Sequence, residues 1–139
     1  MLGIGVVGYG YWGPNLVRNF NELPGARVAA VCDQRQERLA PVARRYPGTA
    51  LTGSYDELLG HPDVGAAVIA TPVSTHFELA LRALQAGKHV LVEKPITANV
   101  AQAQQLIEEA ERRKLTLMVD HTFVYTGAVR KIRELVAAG

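Results

Sequence analysis

A glycine-rich turn near the N-terminus constrains this 139-residue chain more than any other feature. The segment Gly8–Gly13 reads Gly-Tyr-Gly-Tyr-Trp-Gly and follows the apolar run Leu2–Val7. Pro14 then opens a helical pattern, and a second apolar run, Ala26–Cys32, leads to Asp33, which lies 20 residues beyond the last glycine of the turn. Strand, tight turn, helix, strand and acidic residue are the order and spacing of a dinucleotide-binding βαβ unit.

Each glycine of the turn has its own predicted role. Gly8 allows a sharp bend at positive φ, Gly10 leaves room for a pyrophosphate, and Gly13 lets the helix pack closely on the strand. The N–H groups at the start of that helix would face the phosphates. The turn residues predicted to contact the cofactor are Gly8, Gly10, Tyr11, Trp12 and Gly13. The alternative is an ordinary glycine-rich turn, since the chain contains 13 glycines.

The acidic residue after the second strand indicates which dinucleotide is bound. Asp33 is predicted to accept hydrogen bonds from the two hydroxyls of the adenosine ribose. NAD is therefore the predicted cofactor, because the 2′-phosphate of NADP would meet a carboxylate at close range. Arg35 favours NADP instead, since an arginine can accommodate that phosphate.

Composition limits the remaining possibilities. Hydrophobic residues make up 48% of the chain and charged residues 20%, which is typical of one soluble globular domain over residues 1–139. The net charge of +2 is too small to indicate nucleic acid. The sole cysteine, Cys32, fits a reducing compartment, and neither a signal peptide nor a membrane span is evident, so a cytoplasmic protein without a membrane partner is expected. The histidines and the cysteine lack metal-ligand spacing, and no serine has a hydrolase context.

Apolar runs and helical patterns alternate along the whole chain. Six strands separated by helices predict an α/β fold, with a doubly wound parallel sheet and helices on both faces. The predicted strands are Leu2–Val7, Ala26–Cys32, Thr49–Leu51, Val64–Ala70, His89–Val92 and Leu115–Val119.

Local signals indicate where the helices begin. Ser54–Glu57 and Thr75–Glu78 have the form of capping boxes, and Thr97 is the predicted cap of the following helix. Pro41 conflicts with the second helix, so that helix should start late or kink. The last helix is patterned by apolar residues within 129–136.

Polar residues cluster where strands end. In a parallel sheet, ligands bind beyond the carboxyl ends of the strands, so these residues are candidates for a site. They are Asp33, Thr71, Glu93, Lys94, Asp120 and His121.

Three motifs in a fixed order point to a known family. They are the glycine turn with Trp12-Gly13, the stretch Ala70-Thr71-Pro72 followed by Thr75-His76, and Glu93-Lys94-Pro95. Together they resemble the N-terminal domain of the glucose–fructose oxidoreductase, inositol dehydrogenase and MocA (Gfo/Idh/MocA) family over essentially the whole chain. The resemblance implies a Rossmann fold and NAD(P)-dependent oxidation or reduction of sugars, sugar derivatives or polyols.

The resemblance also assigns roles to single residues. It implies that Lys94 lies beside the nicotinamide and the substrate, where it orients the reacting hydroxyl and helps to move its proton; the alternative is a surface lysine near a turn. Glu93 is either a partner of the cofactor ribose or a helix cap. Thr71 and Pro72 either shape a turn or pack against the dinucleotide.

Two histidines each have two alternative roles. His76 would ordinarily be a solvated residue of a first helical turn, and the resemblance makes it a candidate for cofactor binding. His121 either lines the nicotinamide end of the site or is structural, and we favour the site.

Members of the family carry a second, C-terminal α/β domain that this sequence does not contain. The resemblance implies that this domain supplies most of the substrate pocket, an aspartate/histidine pair and commonly the subunit interface, so a homo-oligomer is expected when it is present. We therefore expect the isolated chain to be inactive. The alternative is a nucleotide-binding module or regulatory domain without catalysis of its own. The stretch His121-Thr122-Phe123 resembles members acting on nucleotide-linked amino sugars or uronic acids.

Overall fold

The computed structural model describes residues 1–139 and contains one six-stranded parallel sheet. The strands are β1 (Leu2–Val7), β2 (Ala26–Cys32), β3 (Ala50–Thr52), β4 (Ala66–Ile69), β5 (His89–Glu93) and β6 (Leu117–Asp120). Their order in the sheet is β3-β2-β1-β4-β5-β6. The predicted sheet is confirmed, and its strand order reverses between β1 and β4, the place where doubly wound sheets hold dinucleotides.

Helices cover both faces of this sheet. They are α1 (Gly13–Glu22), α2 (Gln36–Arg45), α3 (Tyr55–Gly60), α4 (Val73–Gln85), α5 (Val100–Arg113) and α6 (Gly127–Ala138), with a 3₁₀ turn at Thr122–Tyr125 before the last. One buried cluster lies under α1 and α2, and a larger one lies under α3, α4 and α5. None of the helices has both the length and the apolar character needed to cross a membrane.

Strand β4 shows why the central strands are continuously apolar. Successive side chains of a strand point to opposite faces, and both faces are covered here. Ala66 and Val68 therefore join the cluster under α1 and α2, whereas Ala67 and Ile69 join the other one.

Two helices begin elsewhere than predicted. Helix α4 starts at Val73, directly after Pro72, and no side chain caps it. The predicted capping box at Thr75 is wrong, because the Thr75 hydroxyl lies inside the first turn, 2.8 Å from the Pro72 carbonyl. Helix α5 is capped by Asn99, whose Oδ1 accepts the Gln102 N–H. Thr97 is buried instead, and its hydroxyl donates to the Asn99 carbonyl.

Two other helix starts concern Pro41 and Ser54. Helix α2 begins at Gln36, well ahead of Pro41, so of the two expected outcomes, a late start or a kink, the late start is wrong. Pro41 is exposed, and the buried Leu39 and Val42 hold the helix on the sheet on either side of it. Ser54 caps α3 as predicted, with Oγ accepting the Glu57 N–H.

Helix α6 forms as predicted but buries none of its residues. Val129 aside, its large apolar side chains are exposed, among them Ile132, Leu135 and Val136. Its main contacts are with the 3₁₀ turn before it.

Candidate functional site

The glycine turn follows β1 at the carboxyl edge of the sheet. Gly8 has φ 92°, which favours glycine, and its N–H donates to the Cys32 carbonyl at 2.8 Å. A Cβ at Gly13 would lie 2.5 Å from the Gly8 carbonyl oxygen, so only glycine lets α1 approach this closely. A Cβ at Gly10 would meet only the Nη1 of Arg38, at 3.6 Å. The turn is thus tightly closed at Gly13 and open at Gly10, which fits the approach of a pyrophosphate.

The start of α1 is well suited to an anion. Trp12 occupies the N-cap position without a side-chain cap, Pro14 follows in the first turn, and no acidic residue lies there. The positive end of the helix dipole is therefore not neutralised from within the helix. Tyr11 is 85% exposed, and its ring meets that of Trp12 edge to face with centroids 5.2 Å apart. These aromatic side chains border the turn on its solvent side.

Asp33 connects the end of β2 to the glycine turn. Its Oδ2 accepts the Tyr9 N–H at 2.7 Å, and its Oδ1 accepts the Arg35 N–H at 2.9 Å. Asp33 is only 7% exposed. Burial raises the pKa of this carboxyl, but the N–H groups of Arg35 and Tyr9 and the guanidinium of Arg38 outweigh it, so the pKa lies below its usual range.

Arg38 is a site residue that the sequence reasoning missed. Its Nη1 lies 3.4 Å from Asp33 Oδ2. The signal that could have revealed it is spacing, because residue 38 is in the first turn of α2, just beyond the acidic residue. Arg35, the arginine that the sequence does single out, is exposed and forms no ion pair.

His76 is buried, so the expectation of a solvated side chain is wrong. It is 1% exposed, with Nε2 2.8 Å from the Thr71 carbonyl and Nδ1 2.9 Å from the Pro95 carbonyl. The cause is helical phase, because His76, Ala80 and Ala83 are spaced i, i+4 and i+7 and all are buried. The ring joins the turn after β4 to the turn after β5. Beside it, Thr71 is half-buried and Pro72 is exposed.

Strands β5 and β6 each end in a carboxyl group. Glu93 and Asp120 are partners in the register of β5 and β6. Burial and the neighbouring Asp120 raise the pKa of Glu93, although the Lys94 N–H, 3.2 Å from Glu93 Oε2, acts in the opposite direction. The alternative of Glu93 as a helix cap is wrong, because the next helix begins only at Val100.

Lys94 and His121 are the exposed members of this end of the site. The side chain of Lys94 forms no ion pair, and the Lys94–Pro95 peptide bond is cis. His121 directly follows β6 and is also exposed. Both side chains are accessible to a bound molecule at this edge.

The sheet register brings the predicted site residues to one edge. Val7 is aligned with Cys32 and with Ile69, Ile69 with Val92, and Glu93 with Asp120. The residues that follow these strand ends therefore share the carboxyl edge of the sheet. The glycine turn also touches the end of β4, since a Cβ at Gly8 would lie 2.8 Å from the Ala70 carbonyl oxygen.

The same edge shows neither a metal cluster nor a reactive thiol. No three His, Cys, Asp or Glu residues are placed to hold a metal ion. Cys32 is buried, and burial, with Asp33 and Glu57 nearby, raises its thiol pKa to about 11. A protonated, buried thiol is a core residue and not a nucleophile.

Known proteins are similar to this chain in sequence and in fold. The model of the Gfo/Idh/MocA oxidoreductase family, described as an NAD-binding Rossmann fold, matches residues 2–121. The dTDP-3,4-didehydro-2,6-dideoxy-alpha-D-glucose 3-reductase of Streptomyces violaceoruber is 39% identical over 120 residues, which cover 86% of this chain and 35% of that protein.

Two solved structures share the fold at TM-scores above 0.9. A variant of KijD10, a 3-ketoreductase from Actinomadura kijaniata in complex with TDP-benzene and NADP, has a TM-score of 0.91 and 31% identity, covering 99% of this chain and 42% of that one. GenD2 from gentamicin A biosynthesis, in complex with NAD, has a TM-score of 0.92 and 33% identity, covering 98% of this chain and 39% of that one.

The chain spans about two fifths of the length of these relatives. Within that part, the family match covers the glycine turn, Asp33 and the Glu-Lys-Pro stretch. The geometry of the turn and the pyridine nucleotides bound by two structural neighbours agree. The chain therefore belongs to the Gfo/Idh/MocA oxidoreductase family and carries that family's NAD-binding Rossmann fold.

Proposed function

We propose that this chain is the coenzyme domain of an oxidoreductase that transfers hydride to or from a sugar, a nucleotide sugar or a polyol. The observation that carries the proposal is the cradle formed by the open Gly10, the start of α1 without a neutralising carboxylate, and Asp33. A bound dinucleotide needs an anion site and an adjacent ribose site, and both lie at this one edge.

The residues of the edge divide between the two halves of the cofactor. The glycine turn, with Tyr11 and Trp12, would hold the pyrophosphate, and Asp33 with Arg35 would lie at the adenosine ribose. Thr71 and Pro72 would form the wall beside the nicotinamide half, and the buried His76 would hold the turn of Thr71 in place from behind. This division follows the sheet order, because β2 lies on one side of β1 and β4 and β5 on the other.

Lys94 is the proposed catalytic residue. A nicotinamide cofactor supplies the hydride acceptor or donor, and the protein must place the substrate and move the hydroxyl proton. The exposed ammonium of Lys94 can hydrogen-bond a substrate hydroxyl, and the carboxyl groups of Glu93 and Asp120 lie at the same edge of the sheet. Glu93 and His121 would complete this end of the site.

We propose that NAD is bound more tightly than NADP, because the 2′-phosphate would approach the buried carboxylate of Asp33. Titration calorimetry of the chain with NAD and with NADP tests whether a dinucleotide binds and which of the two binds more tightly. Saturable binding of NAD with a weaker NADP isotherm is expected. If neither NAD nor NADP gave a heat of binding, the proposed function would be overturned.

We propose that the substrate is a nucleotide-linked sugar, supported by the dTDP-sugar substrate in the name of one relative and the TDP-benzene bound by another. In the whole protein, a second α/β domain would complete the pocket and support a homo-oligomer in the cytoplasm. The chain spans only about two fifths of these relatives, so the isolated chain should give no NADH from a panel of sugars and nucleotide sugars. Turnover by this chain alone would contradict the need for a second domain.

The second candidate is a coenzyme-binding module or regulatory domain without catalysis. It is favoured by the exposed position of Lys94, which no other side chain contacts through an ion pair. A panel assay of the whole protein separates the two functions, because only the oxidoreductase loses turnover when Lys94→Ala is introduced.

A further inference from the structure

We propose that His76 is a positioning residue, which places the proposed catalytic residue Lys94 by holding the turn that carries it. This inference rests on the proposed function, in which Lys94 hydrogen-bonds the substrate hydroxyl. It requires no contact between His76 and the cofactor, because the residue is only 1% exposed. The buried ring contacts the backbone of two turns instead.

The turn that carries Lys94 has few attachments of its own. This Lys94 turn, residues 94–98, directly follows β5. No backbone–backbone hydrogen bond joins it to any other part of the chain. Two of its hydrogen bonds, from the Lys94 N–H to Glu93 and from the Thr97 hydroxyl to the Asn99 carbonyl, are to residues next to the turn or within one residue of its end. The backbone of the turn is therefore not fixed by the sheet or by a helix.

The ring of His76 supplies an attachment to a regular element. Its Nδ1 lies 2.9 Å from the carbonyl oxygen of Pro95, the residue directly after Lys94. Apart from the packing of Ile96 on the larger buried cluster, this is the contact that joins the Lys94 turn to another element. His76 lies inside α4, on its buried face, so the ring has a fixed position. The position of the turn should therefore depend on this one contact.

The other ring nitrogen contacts the turn after β4, which has further attachments. Nε2 of His76 lies 2.8 Å from the Thr71 carbonyl oxygen. The Thr71 hydroxyl also accepts the Thr75 hydroxyl at 2.7 Å, and the Ala70 N–H donates to the Val7 carbonyl at 2.8 Å. This turn would therefore keep its place without His76. Loss of the ring should disturb Lys94 more than the proposed wall of the cofactor site.

The inference requires a hydrogen on Nδ1 of His76. A carbonyl oxygen only accepts, and a neutral imidazole carries a single N–H. A ring with its hydrogen on Nε2 alone would donate to Thr71 and leave the Pro95 carbonyl without a donor. Nitrogen-15 NMR of the ring in the wild-type chain distinguishes these forms. A hydrogen on Nδ1, with or without one on Nε2, is expected, and a bare Nδ1 overturns the inference.

Two amide variants separate the contacts of the ring. The amide nitrogen of an asparagine takes roughly the position of Nδ1, and that of a glutamine takes roughly the position of Nε2. His76→Asn therefore retains a donor for the Lys94 turn, whereas His76→Gln retains one for the turn after β4. Nitrogen-15 relaxation of the folded chain should give the Ile96 and Thr97 amides order parameters below about 0.6 in His76→Gln, and near about 0.85 in wild type and His76→Asn.

Tyr55→Phe is the matched control for these measurements. It also removes a contact with a backbone carbonyl of α4, since the Tyr55 hydroxyl donates to the Leu79 carbonyl at 2.7 Å. The Lys94 turn should stay rigid in this variant. Circular dichroism checks folding, and the ring measurement on wild type decides if His76→Gln does not fold. A Lys94 turn that is as rigid in His76→Gln as in wild type overturns the inference, and so does an equal loss of rigidity in both amide variants.

Turnover by the whole protein with NAD and the panel of nucleotide sugars extends the test to function. His76→Gln should lower kcat about tenfold to hundredfold and leave the NAD dissociation constant within about threefold of wild type, because the displaced group is Lys94. His76→Asn should lose less, and Tyr55→Phe nothing. Weaker NAD binding with an unchanged kcat overturns the inference. Absence of turnover by the wild-type whole protein overturns the proposed function instead, and the NMR measurements on the chain still decide whether His76 holds the turn.

Discussion

At the scale of single residues, two buried polar side chains hold the loops of the binding edge together. Asp33 bonds the turn after β1 to the end of β2, and His76 bonds the turn after β4 to the turn after β5. No buried side-chain nitrogen or oxygen lacks a hydrogen-bond partner. A buried polar group without a hydrogen-bond partner is costly. Each of these side chains is therefore stabilised by the backbone groups of the loops, and each holds those loops in position.

His76→Phe should lower the free energy of unfolding by about 2–4 kcal/mol, because it removes the two ring nitrogens that lie within hydrogen-bond distance of backbone carbonyl groups and leaves those carbonyl groups facing an apolar ring. Urea unfolding followed by circular dichroism measures this. His76→Gln, which retains a donor, should lose less. A loss below about 0.5 kcal/mol in His76→Phe would show that the two turns are held without this ring.

Asp33 should make the stability of the fold depend on pH in the acidic range. Its pKa in the folded state lies below the ordinary value, so its contribution is present above the unfolded pKa of about 3.9 and is lost as the pH falls through the folded value. Wild type should therefore be more stable than Asp33→Asn at about pH 6, and the difference should shrink toward about pH 3.

Urea unfolding of both proteins across this pH range provides the test. Glu22→Gln is a suitable control, since Glu22 is exposed and forms no ion pair. A gap between wild type and Asp33→Asn that stays constant with pH would mean that the carboxylate charge contributes nothing to stability.

At the scale of elements, the first βαβ unit was predictable and several later helix starts were not. Strands β1 and β2 have the same bounds as the two apolar runs. The first run ends before the glycine turn and the second ends before Asp33. Helix α4 and helix α5 each have more than one Ser, Thr or Asn near the start. Tertiary context selects among them: Pro72 starts α4 early, and Asn99 caps α5 while Thr97 is buried.

The dependence on tertiary context also explains why the surroundings of His76 and Arg38 were not predicted from the sequence. Both lie on helices whose phase relative to the sheet decides what their side chains meet. Helix α4 begins three residues earlier than a cap at Thr75 would start it, so His76 lies inside the helix and on its buried face. The edge to which the site residues belong was easier to predict, since parallel strands end on one side.

Two glycines of the turn should respond differently to alanine. A Cβ at Gly13 would lie 2.5 Å from the Gly8 carbonyl, so Gly13→Ala should destabilise the fold by about 1–3 kcal/mol. A Cβ at Gly10 would be in ordinary contact at 3.6 Å. Gly10→Ala should therefore fold with unchanged stability, yet bind NAD at least about tenfold more weakly, because its methyl group occupies the approach of the pyrophosphate.

Thermal unfolding and calorimetry with NAD separate these two effects. Gly48→Ala is the control, because a Cβ there meets nothing within 4 Å. Unchanged NAD affinity in a stable Gly10→Ala would place the pyrophosphate elsewhere.

At the scale of the whole molecule, the central strands and the C-terminal helix α6 differ in how well their apolar side chains are covered. The central strands are packed on both faces, whereas α6 and the 3₁₀ turn before it expose Phe123, Ile132 and Leu135. The sequence predicts α6 from its periodicity, but periodicity does not indicate what an apolar face packs against. That face is where the proposed second domain of the whole protein would have apolar surface to cover.

The most direct test of the account is an amide NMR spectrum of the ¹⁵N-labelled chain with and without saturating NAD. The account predicts chemical-shift changes at Gly8, Gly10 and Gly13 and around Asp33, with little change at Gly25 and Gly87, which precede β2 and β5 at the opposite edge of the sheet. Unchanged amide positions, or changes confined to that opposite edge, would contradict it.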